Sequence, residues 1–183
     1  ELAARLGLPL ESPGFFPPRH IRSGGRDRLL LRLSSQGLEL VKSEGAKLSG
    51  AVRVDFIAGR TAFRRKQQKK ELLLRAVGGK SGVCLKVVDA TGGLGRDSFL
   101  LAAAGHRVSI FERHPVVAAL LADGLERAAR YPETAETCRR IRLHRRDAVP
   151  ALEAMRSDGE EEGVDVVYLD PMFPERRKSA LVK

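Results

Sequence analysis

Residues 87–97 read VVDATGGLGRD. The valines end a short apolar strand, and three glycines then allow a sharp turn because they carry no Cβ atom. Asp97 opens a helix at the end where the helix dipole favours negative charge, and the apolar side of that helix follows in residues 99–102. A strand, a glycine turn and a helix in this order predict an α/β fold with a ligand pocket at the carboxyl ends of parallel strands.

An acidic residue follows at the spacing that such pockets use to bind a ribose. Glu112 ends the apolar run 108–111 and lies 19 residues after Gly93. At this distance a carboxylate can accept hydrogen bonds from both ribose hydroxyls. The glycine turn alone is weak evidence, because many strand–helix loops contain two glycines and bind nothing. Together the two features predict a site for a nucleotide-like cofactor.

A second motif, VDVVYLDPMFP over residues 164–174, favours a particular chemistry. The lone pair of an exocyclic ring amine is delocalised, so the amine needs acceptors that direct it toward an electrophile. The carboxylate of Asp170 and the carbonyl of Pro171 can accept its hydrogen bonds, and Phe173 can stack on the base. The alternative is that Asp-Pro only ends a buried strand. Beside the glycine turn, we favour methyl transfer to a ring amine.

These motifs resemble those of the Rossmann-like methyltransferases that depend on S-adenosylmethionine (SAM). More narrowly, they resemble the ribosomal RNA small subunit methyltransferase J family. The matching segments are residues 88–97, 112–113 with 115–121, 168–174, 178–183, and upstream 54–56 and 64–66. Thr91 and Met172 depart from the wider superfamily motifs and agree with the narrower family. The resemblance implies methylation of the exocyclic N2 of a guanine in 16S rRNA, with SAM as cofactor and the rRNA or the small ribosomal subunit as partner.

Individual residues receive roles from the glycine turn and from this resemblance. The expected cofactor contacts are Asp89, Gly93, Gly95, Arg96, Asp97, Glu112, Arg113, Asp147, Ala148 and Asp170. The expected catalytic residues are Asp170, Pro171 and Phe173. For Asp147 the alternative is that it caps a helix beginning at Ala148, and the two roles are compatible.

Positive charge is concentrated in the N-terminal part of the chain. Residues 1–80 contain 17 Lys and Arg against 7 Asp and Glu, whereas residues 81–183 contain 16 of each kind. Such an excess attracts phosphate backbones without sequence specificity. The residues expected to contact RNA are Arg64, Arg65, Lys66, Lys69 and Lys70, and, beside the base pocket, Arg176, Arg177 and Lys178. A solvated helical face is the alternative explanation for the first run.

The chain is expected to contain three units. Residues 1–62 form a small β-rich domain, with a loop-like start over 1–25, a hairpin joining 29–33 to 38–41, and a third strand over 52–56. Residues 63–80 form a basic connecting helix that ends near Gly78. Residues 81–183 form the SAM-binding domain.

The SAM-binding unit shows four strand patterns, near 85–89, 107–111, 141–144 and 164–169, and a helix that begins at Pro115. The resemblance implies a sheet with about three more strands downstream. The sequence therefore predicts a Rossmann-like methyltransferase sheet that lacks its C-terminal strands in this chain.

Composition excludes several classes of protein. No apolar run reaches the ~18 residues of a membrane span, Cys84 and Cys138 are too few for a disulfide framework or a zinc site, and the four histidines lack metal-ligand spacing. We therefore expect a cytoplasmic protein without a metal, and the sequence does not indicate its oligomeric state. Three other functions stay open: a methyltransferase of the same chemistry acting on a DNA base or a protein amide, a nicotinamide oxidoreductase, and a non-catalytic RNA-binding module.

Overall fold

A computed structural model describes residues 2–8, 28–44, 47–67, 71–78, 83–157 and 163–171. Its helices are α1 (Leu2–Arg5), α2 (Gly59–Lys66), α3 (Leu72–Val77), α4 (Arg96–Ala103), α5 (Pro115–Ala129), α6 (Pro132–Arg139) and α7 (Ala148–Ser157). Its strands are β1 (Arg28–Ser34), β2 (Gly37–Glu44), β3 (Lys47–Val52), β4 (Lys86–Asp89), β5 (Arg107–Phe111), β6 (Ile141–His144) and β7 (Val166–Tyr168).

The larger sheet has four parallel strands in the order β6-β5-β4-β7. Val88 of β4 pairs with Ser109 of β5 on one side and with Val167 of β7 on the other. The predicted α/β architecture is confirmed, and all four predicted strands lie within two residues of the observed ones. Because β4 is central, the glycine turn that follows it lies between the carboxyl ends of β5 and β7.

Helices cover both faces of this sheet. On one face, α4 and α5 enclose a buried cluster that includes Phe99, Leu101, Leu120, Leu121, Val108 and Ile110. On the other face, Ala148 and Ala151 of α7 pack against Val88 and Phe111. Each fully buried large side chain stabilises the fold by about 1.5–3 kcal/mol. The helices therefore fix the direction in which each strand end points.

The smaller sheet is an antiparallel β1-β2-β3 meander that packs directly on the α/β unit. Phe56 stacks on Phe99 of α4 with ring centroids 4.2 Å apart. The main-chain N–H of Leu38 donates a hydrogen bond to Asp123 of α5 at 3.1 Å. The predicted hairpin is confirmed, and the two units share one continuous core. The proposed domain boundaries at 62 and 80 stay a prediction.

Two local predictions differ from the structure, and a third is confirmed. The third strand covers Lys47–Val52 instead of 52–56, because Val54 and Phe56 turn into the core and Asp55 accepts hydrogen bonds from the N–H groups of Ile57 and Ala58. The single helix over 63–80 is instead two helices, α2 and α3, since the backbone leaves helical geometry at Gln67. The predicted stop at Gly78 is confirmed by its left-handed φ of 77°.

Two helices were not predicted from the sequence. One is α1, a four-residue helix within the segment expected to be a loop. The other is α6, which carries Pro132 at its start and Glu133 in its first turn. Both are usual features of a helix N-terminus, so a readable signal for α6 was present.

Candidate functional site

The glycine turn forms a tight loop between β4 and α4. The N–H of Gly95 donates to the carbonyl of Gly92 at 2.8 Å, and the N–H of Gly92 donates to the carbonyl of Phe111 at 3.0 Å. Gly93 has a φ of 53° and Gly95 a φ of 68°, a region that side chains rarely adopt. A Cβ at Gly93 would meet only the carbonyl oxygen of Thr91 within 4 Å, at 3.7 Å. This side of the turn is therefore open to a ligand.

Asp89 stabilises the glycine turn from its buried side. Its side chain is 2% exposed and accepts hydrogen bonds from the N–H of Thr91 at 3.0 Å and the hydroxyl of Ser98 at 2.5 Å. Burial raises the pKa of the Asp89 carboxyl, and the charge of Asp97 adds to the increase, against the effect of these hydrogen bonds. Asp89 therefore fixes the shape of the turn from the protein interior.

Glu112 lies at the tip of β5, against the same turn. One carboxylate oxygen accepts from the N–H of Gly93 at 2.9 Å, and the other accepts from the N–H of His114 at 2.6 Å. Each oxygen of a carboxylate has capacity for a second hydrogen bond. The carboxylate is therefore held in place by the main chain and keeps acceptor capacity for two neighbouring hydroxyls.

The tips of β4 and β7 meet beside the turn. The N–H of Asp170 donates to the hydroxyl oxygen of Thr91 at 2.8 Å, and the N–H of Ala90 donates to the carbonyl of Tyr168 at 3.1 Å. Asp170 and Pro171 are exposed. The two sequence motifs are therefore brought together at one edge of the sheet. Phe173 lies outside the described residues.

Tyr168 of β7 takes part in a charged network. The hydroxyl of Tyr168 donates to one oxygen of Asp97 at 3.0 Å, and Arg64 donates to the other at 2.7 Å. Arg64 also makes two hydrogen bonds with Glu71, at 3.0 and 2.9 Å. Burial raises the pKa of the Tyr168 hydroxyl, and Asp97 raises it further. The network ties α2, α3 and the start of α4 to the strand that carries Asp170.

Comparisons with known proteins show which family the chain resembles. A family model described as "Putative SAM-dependent methyltransferase" matches residues 19–183. The protein named ribosomal RNA small subunit methyltransferase J from Nitrosococcus oceani is 46% identical over 185 residues, which cover 100% of this chain and 68% of that protein. The chain belongs to the ribosomal RNA small subunit methyltransferase J family.

Two further similar proteins are matched over a comparable part of their length. The protein of the same name from Pseudomonas aeruginosa strain LESB58 is 44% identical, over 99% of this chain and 64% of its own length. A crystal structure of a SAM-dependent methyltransferase from Neisseria gonorrhoeae has a TM-score of 0.65 and 31% identity, and the match covers 94% of this chain and 65% of that one. The chain thus spans about two thirds of the length of these methyltransferase J relatives.

Within this methyltransferase J fold, Asp147 has the capping role that was one of its two alternatives. Its carboxylate accepts from the N–H of Val149 at 2.9 Å and lies 3.4 Å from Arg113. These contacts lower the pKa of Asp147, the hydrogen bond from Val149 first. Arg96 and Arg113 are exposed, whereas Ala148 is buried. Contact of these residues with the cofactor stays a prediction.

The first basic run of this methyltransferase J chain has internal partners in the structure. Arg64 is held by Glu71 and Asp97, and Arg65 donates to the main-chain carbonyl of Glu133 at 2.9 Å. These contacts direct both guanidinium groups into the protein. The side chain of Lys66 and all of Lys69, Lys70, Arg176, Arg177 and Lys178 lie outside what the structure describes, so their contact with RNA stays a prediction.

Sequence reasoning did not find two residues of the site. The sequence pattern marks Thr91 only as a departure from the superfamily glycine, although its hydroxyl joins the two motifs. The pattern also makes Tyr168 part of an apolar strand, although its hydroxyl reaches Asp97. In the described part of the chain, no cluster of His, Cys, Asp and Glu is arranged to hold a metal ion, and no helix is long and apolar enough to cross a membrane.

Proposed function

We propose that this protein transfers a methyl group from SAM to the exocyclic N2 of a guanine in 16S rRNA. The observation that carries the proposal is the hydrogen bond between the Asp170 N–H and the Thr91 hydroxyl, 2.8 Å long. This hydrogen bond holds the end of β7, which carries the proposed acceptors for the amine, within a few ångströms of the glycine turn. The glycine turn is the proposed site for the nucleoside part of SAM. The relatives named for small subunit rRNA methylation support the choice of substrate.

The residues around the glycine turn fit SAM. Gly93 leaves an open side on the turn where a Cβ would otherwise project. Glu112 has spare acceptor capacity for the two ribose hydroxyls, and its position is fixed by Gly93 and His114. Arg96, Asp97, Arg113, Asp147 and Ala148 surround this edge as further candidate contacts. When bound there, SAM supplies a methyl group made electrophilic by its sulfonium.

The residues at the end of β7 suit the amine. We assign the Asp170 carboxylate and the Pro171 carbonyl as acceptors for the two amine hydrogens, and Phe173 as the face on which the base stacks. With both hydrogens held, the nitrogen lone pair is directed away from the ring plane. The Asp170 carboxylate, or water beside it, accepts the proton that leaves. Holding the reacting groups in this orientation lowers the activation free energy by several kcal/mol. The upper limit of this effect is on the order of 7–11 kcal/mol.

Access to the amine places a condition on the substrate. The N2 of a paired guanine lies in the minor groove and takes part in pairing. The target guanine is therefore unpaired or flipped out of its helix when it reacts. We assign the rRNA, alone or within the small subunit, as the partner in the cytoplasm. Lys66, Lys69, Lys70, Arg176, Arg177 and Lys178 are candidate contacts to its backbone.

The test begins with cofactor binding measured by calorimetry, with SAM and NAD titrated separately. We expect the protein to bind SAM and not NAD. Binding of NAD and not SAM would indicate an oxidoreductase instead of a methyltransferase. Labelled methyl transfer is then measured on 16S rRNA, DNA and protein acceptors. Label in rRNA alone is expected, whereas label in DNA or protein would reassign the acceptor.

The Asp170→Ala variant tests the proposed catalytic residue, because it removes the side-chain acceptor altogether. We expect it to lose transfer by a larger factor than it loses SAM affinity, since the proposed contact of Asp170 with the amine acts on the reaction step. The matched control is Glu126→Ala, an equal truncation at an exposed carboxylate on α5 that pairs with Arg130 among the described residues. Full activity of Asp170→Ala would remove Asp170 from the mechanism. RNA binding without any transfer by the wild-type protein would favour a non-catalytic module.

A further inference from the structure

A cluster of arginines surrounds β6, far along the chain from the basic runs considered above. Residues 138–152 contain five arginines and a single carboxylate, Asp147. We call this cluster the arginine edge, and its members are Arg139, Arg140, Arg142, Arg145 and Arg146. The balanced charge of residues 81–183 as a whole conceals this local excess.

Few of these charges are neutralised within the protein. Arg139 and Arg140 share one carboxylate, Glu136, at 3.1 and 3.2 Å. Arg142 and Arg145 are exposed, and no carboxylate among the described residues forms an ion pair with either. Arg146 lies over the ring of Phe111 with 5.7 Å between its guanidinium carbon and the ring centroid. The cluster therefore presents a net positive surface to solvent.

The arginine edge borders a groove on the α7 face of the sheet. The groove has a volume of about 1230 Å³, and its cationic lining includes Lys86, Arg107, Arg139, Arg140, Arg142 and Arg146. Glu136 is the one carboxylate among the described residues that line it. Small-molecule sites are usually about 300–1,000 Å³ and mostly apolar. The size and the charge of this groove suit an extended polyanion better than a small ligand.

The electrostatic effect of the cluster is visible at a neighbouring residue. His144 stacks on Phe111 with ring centroids 4.5 Å apart, on the same face as Arg142. Burial lowers the pKa of His144, and the charges of Arg142 and Arg146 lower it further. Arg142 and Arg146 therefore lie close enough to His144 for their charges to act at the end of β6.

The arginine edge is continuous with the candidate site. The N–H of Glu112 donates to the carbonyl of His144 at 3.0 Å, so the end of β6 is joined to the residue proposed to hold the ribose. Arg145 and Arg146 follow His144 directly in the chain. Arg145 and Arg146 therefore begin beside the strand end that carries Glu112.

We infer that the arginine edge binds the phosphate backbone of the rRNA substrate on the side of the site next to Glu112. The inference rests on the proposed function and adds a contact surface to it. Arginine suits this role because its planar fork of donors matches phosphate oxygens. Such contacts position the RNA and strengthen its binding without reading its sequence.

The test compares two double variants of the full chain. Arg142→Gln/Arg145→Gln removes two charges of the arginine edge that form no ion pair with a described carboxylate. Arg5→Gln/Arg130→Gln removes the same total charge from exposed positions elsewhere. Binding of deproteinised 16S rRNA and of small ribosomal subunits is measured across a salt series, and SAM affinity is measured by calorimetry. Every phosphate contact that is lost lowers the slope of log Kd against log salt by about 1.

We expect the arginine-edge variant to bind rRNA roughly 10- to 50-fold more weakly at ~0.1 M salt. Its salt slope falls by about 2, its KM for rRNA rises, and its kcat and SAM affinity stay unchanged. Equal behaviour of the two double variants would overturn the inference. Loss of binding to subunits but not to naked rRNA would indicate that the arginine edge contacts a ribosomal protein. Self-association of the variant without an effect on RNA binding would indicate that the arginines protect an edge strand from pairing. Either result would overturn the inference. Failure of the proposed function is separate, because wild-type protein would then transfer no methyl group to rRNA.

Discussion

The main-chain N–H of Asp170 donates a hydrogen bond to the side-chain oxygen of Thr91 at 2.8 Å. Thr91 belongs to the turn after β4, and Asp170 follows β7. A glycine at position 91 would remove this connection. The hydroxyl of Thr91 therefore helps to fix the distance between the glycine turn and Asp170.

The Thr91 connection predicts a kinetic effect. In Thr91→Val the shape is kept and the acceptor is lost, so Asp170 shifts relative to the cofactor side. Because a displacement of about 1 Å can cost 100-fold in rate, we expect kcat to fall about 10- to 100-fold with little change in SAM affinity. Thr91→Ser keeps the oxygen and is expected to retain most of the rate. Steady-state kinetics with rRNA would contradict this if Ser and Val variants behaved alike.

Adjacent glycines are expected to differ in what they control. A Cβ at Gly92 would collide with the side chain of Ile110 and lie 3.0 Å from the carbonyl oxygen of Phe111, whereas a Cβ at Gly93 would make only an ordinary contact with the carbonyl oxygen of Thr91, at 3.7 Å. Gly92→Ala is therefore expected to lower the free energy of unfolding by about 1–3 kcal/mol. Gly93→Ala is expected to lower the free energy of unfolding by about 1 kcal/mol, because residue 93 has a positive φ. Among folded molecules, Gly93→Ala is expected to weaken SAM binding more than Gly92→Ala does. Urea unfolding and calorimetry measure the two effects, and the opposite ranking in either would contradict the prediction.

The Glu112 carboxylate predicts a loss of cofactor affinity on conservative substitution. Glu112→Gln replaces one acceptor oxygen by a donor, while the neighbouring N–H groups of Gly93 and His114 require acceptors. Hydrogen bonds to charged groups contribute about 1.5–3 kcal/mol, so SAM should bind roughly 10- to 100-fold more weakly. Glu126→Gln serves as the control in the same calorimetric titration. Unchanged affinity in Glu112→Gln would exclude the ribose role.

Asp89 predicts a specific dependence of stability on pH. Its pKa is raised in the folded protein, first by burial, so the stability it contributes is complete below its unfolded pKa of about 3.9 and declines as pH rises through the folded value. Asp89→Asn cannot ionise and keeps an acceptor for Ser98. We expect the variant to gain stability relative to wild type between about pH 4 and neutral pH. Urea unfolding across this range tests it, and parallel pH profiles for the two proteins would show that Asp89 does not titrate as described.

Much of this arrangement was accessible from local sequence patterns. Short apolar runs predicted the four parallel strands. The glycine turn and Asp170-Pro171 indicated which strand ends carry the candidate site. These signals depend on neighbouring residues only. Contacts between distant segments were not accessible in this way. The pairing of Arg64 with Asp97 joins residues 33 positions apart, and that of Thr91 with Asp170 joins residues 79 apart. Such pairs depend on how the elements pack.

Charge reading had a similar limit. Counting over residues 1–80 drew attention to the first basic run, yet Arg64 and Arg65 turn out to bind internal partners. Counting over residues 81–183 gave zero net charge and concealed the arginine edge. Whether an arginine is paired depends on which carboxylates the fold brings near it, and composition does not contain that information.

The most direct test of the account locates the transferred methyl group. Unmodified 16S rRNA is incubated with the protein and isotopically labelled SAM, digested to nucleosides, and analysed by mass spectrometry. The account predicts label in N2-methylguanosine, absent when Asp170→Ala replaces the wild-type protein. Label in any other nucleoside, or none from a protein that binds SAM and rRNA, would contradict it.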